Sequence, residues 1–111
     1  MTPEQIQAAC DHLATEVMGW RRVENGGWSF YEPDPLSIDV MWAEDWNPFE
    51  NAEQALMVLD KLPYFNIEKW SEDYTVRCDN GHAESQTRVD NQNLLHAICI
   101  AACRSTGYEE G

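Results

Sequence analysis

The sequence predicts a single α+β domain over residues 1–111, with an antiparallel sheet and three helices. Three observations carry this expectation. Residues 2–18 and 90–107 place apolar side chains at helical spacing and bring their own start and stop signals. Residues 64–89 alternate as paired strands around an Asn80-Gly81 turn. No strand–helix–strand alternation, the mark of a parallel sheet, joins these segments. The predicted order is α-β-α-β-β-β-α, the sheet being a three-stranded meander plus a short N-terminal strand.

The first helix is expected over residues 2–18. Thr2 and Gln5 make a Thr-x-x-Gln capping box, Pro3 suits the first helical position, and Gly19 is the stop. Ile6, Ala9, Cys10, Leu13 and Val17 form its apolar stripe. Residues 20–46 are aromatic and irregular, with a turn at Asn25-Gly26-Gly27, a short strand at 28–31 and breaks at Pro33 and Pro35. The second helix is expected over 47–62, capped by Asn47, Pro48 and Glu50, with Ala52, Ala55, Leu56, Leu59 and Leu62 facing inward.

The meander follows, with strands at 64–70 and 74–78 and a return strand after Asn80-Gly81. A two-residue loop pairs Cys78 with Ala83, Arg77 with Glu84 and Val76 with Ser85. One face then holds Tyr74, Val76, Cys78, Ala83, Ser85, Thr87 and Val89 for a helix to cover, and the other holds Thr75, Arg77, Glu84 and Gln86 for water or a ligand. The last helix, 90–107, begins at Asp90 or Asn91 and ends at Gly107. It is apolar around most of its circumference, which marks it as the core helix, and Tyr108 to Gly111 form an acidic tail.

Composition excludes several classes. The net charge of −13 opposes binding to polymeric nucleic acid or to an anionic membrane, and favours solubility or a basic partner. No stretch is long and apolar enough to span a bilayer, and MTPEQIQAAC lacks the features of a signal peptide, so the expected compartment is the cytoplasm. Five Trp, four Tyr and three Phe supply stacking surfaces or a subunit interface, and a homodimer or higher oligomer is expected.

No metal or cofactor is expected. Cys10, Cys78, Cys99 and Cys103 contain no CxxC pair and read as small core residues. A metal site on His96, Cys99 and Cys103, which would share one helix face, needs a fourth ligand such as Cys10 from the fold. There is no Gly-rich phosphate loop, no G-x-S-x-G and no H-E-x-x-H, and the three histidines are dispersed, so the chain is read as a non-enzyme.

Three segments carry a resemblance: EVMGW at 16–20, WNPFENAEQALMVLDKL at 46–62 and AICIAACRSTGY at 97–108. Their order and separation resemble the phage ABA-sandwich domain family. Some members of that family are anti-Thoeris, anti-defence proteins that sequester cyclic ADP-ribose signals, and some also bind cyclic oligonucleotides. They hold the ligand uncleaved, as oligomers with sites between subunits. The resemblance implies an antiparallel sheet between helical layers and a sponge for a cyclic nucleotide immune signal.

Such a ligand needs aromatic or Arg planes for its bases, worth about 1–3 kcal/mol per base, and Arg donors for its phosphates. The candidate ligand-binding residues are Trp20, Tyr64, Trp70, Arg77, Arg88 and Arg104. Arg21, Arg22 and Trp28 are further possibilities. Each also has a structural use: Arg77 as the cross-strand partner of Glu84, Arg104 at a helix C-terminus, Trp20 as a helix-end staple. The alternative function is an acidic interaction module that blocks a basic host protein by mimicking nucleic acid.

Overall fold

Helix α1 (Pro3–His12) starts where its capping box places it. The Thr2 hydroxyl accepts from the Gln5 N–H at 3.2 Å, and the Gln5 side chain accepts from the Thr2 N–H at 2.8 Å. This is seen in a computed structural model that describes residues 2–33, 40–81 and 86–108. Past His12 the helix widens into a π turn, Leu13–Val17, in which the Met18 N–H bonds to the Leu13 carbonyl at 2.9 Å. Thr15 donates its hydroxyl back to the Asp11 carbonyl at 2.9 Å, a contact that competes with the regular ladder. Gly19, at φ +73°, then reverses the chain.

Among the described residues, two three-stranded antiparallel sheets and three α-helices make up the fold. The first sheet joins β1 (Arg21–Asn25), β2 (Trp28–Glu32) and β3 (Met41–Trp42). The predicted turn at Asn25-Gly26-Gly27 is its hairpin, with Gly26 and Gly27 both at positive φ. Strands β1 and β3 were not expected, and β2 does not extend the meander but belongs to this separate sheet. The second sheet is the expected meander: β4 (Tyr64–Lys69), β5 (Tyr74–Asp79) and β6 (Thr87–Asn91).

The β5–β6 register differs from a two-residue hairpin. Val76 lies opposite Val89, Cys78 opposite Thr87, and Arg77 opposite Arg88. Asp79 accepts the Gly81 N–H at 2.9 Å and opens a longer connection. The pairing is four residues away from the expected one. An even shift preserves which side chains face inward, and it exchanges Ser85 for Val89 as the neighbour of Val76. Pro35, His82, Ala83, Glu84, Ser85 and most of the acidic tail lie outside the described residues.

Helix α2 (Ala52–Lys61) begins five residues later than its first cap candidate. Asn47 does cap, but a turn: its side chain accepts the Phe49 N–H at 3.1 Å and its carbonyl accepts the Asn51 N–H at 3.0 Å. Asn51 is extended and caps the helix proper through the Gln54 N–H. Gln54 locks the two together, accepting from the Asn47 N–H at 2.6 Å and donating to the Asp45 carbonyl at 2.7 Å. The turn drives Phe49 into the core and rotates α2, so that Ala55, Val58 and Leu59 are buried while Leu56 faces solvent, against expectation.

Helix α3 (Leu94–Ser105) is the core helix. Ala97 through Cys103 are all buried, because β5 and β6 cover one side and α1 and α2 pack on the other. Its cap is Asn93, which accepts the His96 N–H at 3.2 Å; Asp90 and Asn91 instead end β6. Gly107, at φ +91°, closes the helix: Tyr108 N–H reaches the Cys103 carbonyl and Gly107 N–H the Arg104 carbonyl.

Candidate functional site

Alternation along the second sheet sorts its side chains. Val76, Cys78 and Val89 point to α3, as the Cys78 thiol donating to the Ser105 hydroxyl at 3.6 Å confirms. The opposite parity puts Tyr64, Asn66 and Glu68 of β4, Thr75 and Arg77 of β5, and Arg88 and Asp90 of β6 on the other face. Trp70, directly after β4, donates its indole N–H to the Thr75 hydroxyl at 2.9 Å and so lies across that face. Tyr64 is 49% exposed and Trp70 is 52% exposed.

Arg77 and Arg88 are directly opposed on adjacent strands. Like charges in that position are destabilising by themselves. Both guanidiniums have carboxylate company: Arg77 pairs with Glu68, and Arg88 Nε lies 3.4 Å from Asp90. Asp90 also accepts the Thr75 hydroxyl at 2.5 Å, which, ahead of the nearby Arg88, holds its carboxyl below the usual range. The chain Trp70–Thr75–Asp90–Arg88 ties an exposed aromatic plate to one of the arginines. A groove of about 360 Å³ runs along one end, lined by Tyr64, Arg77, Cys78, Gln86, Thr87 and Arg88. Two adjacent guanidiniums present donors for oxyanions, and flanking rings present stacking planes.

Four of the six candidate residues, Tyr64, Trp70, Arg77 and Arg88, therefore share one open face. The other two do not join them. Trp20 is buried against Trp46 at 4.7 Å and Tyr31 at 6.2 Å, so its ring belongs to the core. Arg104 lies in the last turn of α3, the helix that covers the opposite side of the sheet.

Other features bear on chemistry elsewhere. Cys10, Cys78, Cys99 and Cys103 are all buried, unpaired by disulfides. Burial raises the Cys10, Cys78 and Cys99 thiols, so these three are protonated at neutral pH. His96 packs edge-on against Phe49 at 5.1 Å, and among the described residues no group of three or more His, Cys, Asp or Glu is arranged to hold a metal ion. Among them, too, no helix is long and apolar enough to cross a membrane. Sequence reasoning missed a partly exposed network: Tyr31 donates its hydroxyl to Asp11 at 3.0 Å, and Arg22 Nη1 reaches the same carboxylate at 2.6 Å. These residues come from α1 and two strands, and no local pattern links them.

The fold thus defines a small α+β domain of three helices and two antiparallel sheets, the second backed by a helix on one side. The family model of the phage ABA sandwich domain matches residues 11–103, and the chain belongs to that family. The matched span runs from Asp11 to Cys103 and takes in both sheets. No curated protein and no solved structure matches the chain.

Proposed function

We propose that this member of a phage domain family binds a cyclic nucleotide immune signal, a cyclic ADP-ribose isomer or a cyclic oligonucleotide, on the open face of its second sheet. It holds the ligand without cleaving it and acts as an anti-defence sponge. The observation that carries this reading is the opposed pair Arg77 and Arg88 beside Tyr64. A chain with only seven Lys and Arg against 20 Asp and Glu sets two of its five arginines side by side on an open sheet face. Each guanidinium has one carboxylate neighbour, Glu68 or Asp90, and its remaining N–H donors suit the oxyanions of a phosphate-bearing ligand. Trp70, fixed through Thr75, supplies a second plane on the same face. A second copy of the chain, meeting this one along edge strand β4, completes the enclosure in this reading.

The test is calorimetric titration of the purified protein with a panel of cyclic ADP-ribose isomers and cyclic oligonucleotides. Heat denaturation of the complex and mass analysis of the released ligand follow. Binding with intact ligand recovered is the expected result. Arg77→Ala and Arg88→Ala are each expected to weaken binding about tenfold to a hundredfold, the value of a charge-assisted hydrogen bond. No binding across the panel, unchanged binding by both variants, or recovery of a converted ligand would each refute the proposal.

A further inference from the structure

On the other side of the molecule a trough runs between α1 and the first sheet. It has two lobes, of about 350 and 330 Å³, that share Gln7, Arg22, Ala43 and Glu44. The first lobe has an apolar floor that includes Ile6, Ala43 and Trp46, and it also holds Glu50. The second ends at Trp28 and Trp42.

The charge in this trough is one-sided. Its single cation, Arg22, is already held by Asp11 at 2.6 Å and Glu24 at 3.2 Å. Glu44 and Glu50 are exposed, and their carboxylates have no hydrogen-bond or ion-pair partner among the described residues. The field of Glu50 also acts on the Cys10 thiol, which burial, and then that carboxylate, push up to about 12. Phosphate ligands would meet uncompensated carboxylates here, so the trough does not suit the anion proposed for the second sheet.

The aromatic end is equally distinctive. Trp28 is 63% exposed and Trp42 is 40% exposed, and their rings meet edge-on at 5.7 Å. Phe30 packs on Trp42 at 5.6 Å and holds it in place. Tryptophan faces attract guanidinium and ammonium groups, the more so when a carboxylate stands nearby. Aliphatic stems of Arg and Lys cover apolar floors.

We infer that this trough is a docking site for a basic segment of a partner protein, an Arg-containing stretch whose guanidinium lies against Trp28 and Trp42 while Glu44 and Glu50 accept its hydrogen bonds. Charge complementarity selects that occupant: the whole chain carries −13, and the trough's own cation is internally neutralised. Two connected lobes suit an extended segment of several residues. The site is separate from the Arg77–Arg88 face and stands or falls independently of it.

Fluorescence anisotropy with a labelled nonapeptide of alternating Arg and Gly, and with its citrulline counterpart, tests the inference. The citrulline peptide is expected to bind about tenfold more weakly, since it keeps the shape and loses the charge. Trp28→Ala is expected to weaken binding of the Arg peptide about fivefold. The double variant Glu44→Gln/Glu50→Gln is expected to do the same. Glu53→Gln/Asp60→Asn removes the same charge from exposed positions on α2 and is expected to change affinity by less than about twofold. Absence of binding, equal binding of the two peptides, no effect of Trp28→Ala, or equal losses in the two double variants would overturn the inference. The last outcome would mean diffuse attraction to an acidic surface.

Discussion

Replacing Tyr31 with Phe deletes one hydroxyl, and the structure shows what that hydroxyl carries. Tyr31 is 2% exposed. Its oxygen donates to Asp11 Oδ1 at 3.0 Å and accepts from Arg22 Nη1 at 3.2 Å. In Tyr31→Phe the carboxylate keeps Arg22, and Arg22 keeps both Asp11 and Glu24, so no charge is stranded. The expected loss is that of a hydrogen bond to a charged group, about 1.5–3 kcal/mol. For a chain of this length that lowers Tm by roughly 6–15 °C. Urea and thermal unfolding at pH 7 measure it, and an Asp11→Asn cycle isolates the coupling between the two side chains. Burial first, then the hydrogen bond to Asp11, push the Tyr31 phenol up to about 12. The folded value exceeds the unfolded one near 10, so this contribution is fully present below about pH 10 and is lost as pH rises through about 12. Cys10, also pushed up to about 12, loses its contribution from about pH 9 upward. Tyr31→Phe should therefore keep the part of the alkaline decline that starts near pH 9 and lose the part that starts near pH 10. A loss below about 0.5 kcal/mol at pH 7, or an unchanged alkaline profile, would show that water already serves the hydroxyl.

Three further outcomes are expected. Asp90→Asn should flatten the acid limb of a stability–pH curve: the folded carboxyl lies below its unfolded value, so its contribution is present above about pH 4 and lost as pH falls through the folded value. Denaturation at stepwise pH reads this. Ile98→Ala should cost about 2–5 kcal/mol in urea unfolding because it empties a buried site in α3, whereas Leu56→Ala, on the exposed side of α2, should stay within about 0.5 kcal/mol. Thr2→Ala should cost about 1 kcal/mol in the same assay by opening the capping box of α1.

Features set by neighbouring residues were legible from the chain alone. Thr2, Pro3 and Gln5 place the start of α1 because a cap is complete within four residues. Gly107 ends α3 because only a residue without a Cβ takes that φ freely. The meander's inward and outward sets were legible because strand parity is a period-two property, which even a four-residue slip leaves intact. For that reason Thr75 and Arg77 could be assigned to the face turned away from the covering helix, whereas the grouping of Tyr64, Arg77 and Arg88 depends on the register of three strands.

The tertiary structure decided what depends on residues distant in the chain. The register of β6 followed from Val89 packing beside Val76 and from the longer connection that Asp79 opens. The partner of Arg77 became Glu68 of the neighbouring strand, because cross-strand neighbours are set by register and not by spacing. Asn47 has every mark of a helix cap, yet Gln54 binds its N–H and the Asp45 carbonyl and moves the helix start to Ala52. Trp20 became core because Trp46 and Tyr31 close over it, and Trp28 and Trp42 remained exposed because nothing among the described residues does the same for them. Burial is a property of the whole surroundings of a side chain, and only the assembled fold supplies those.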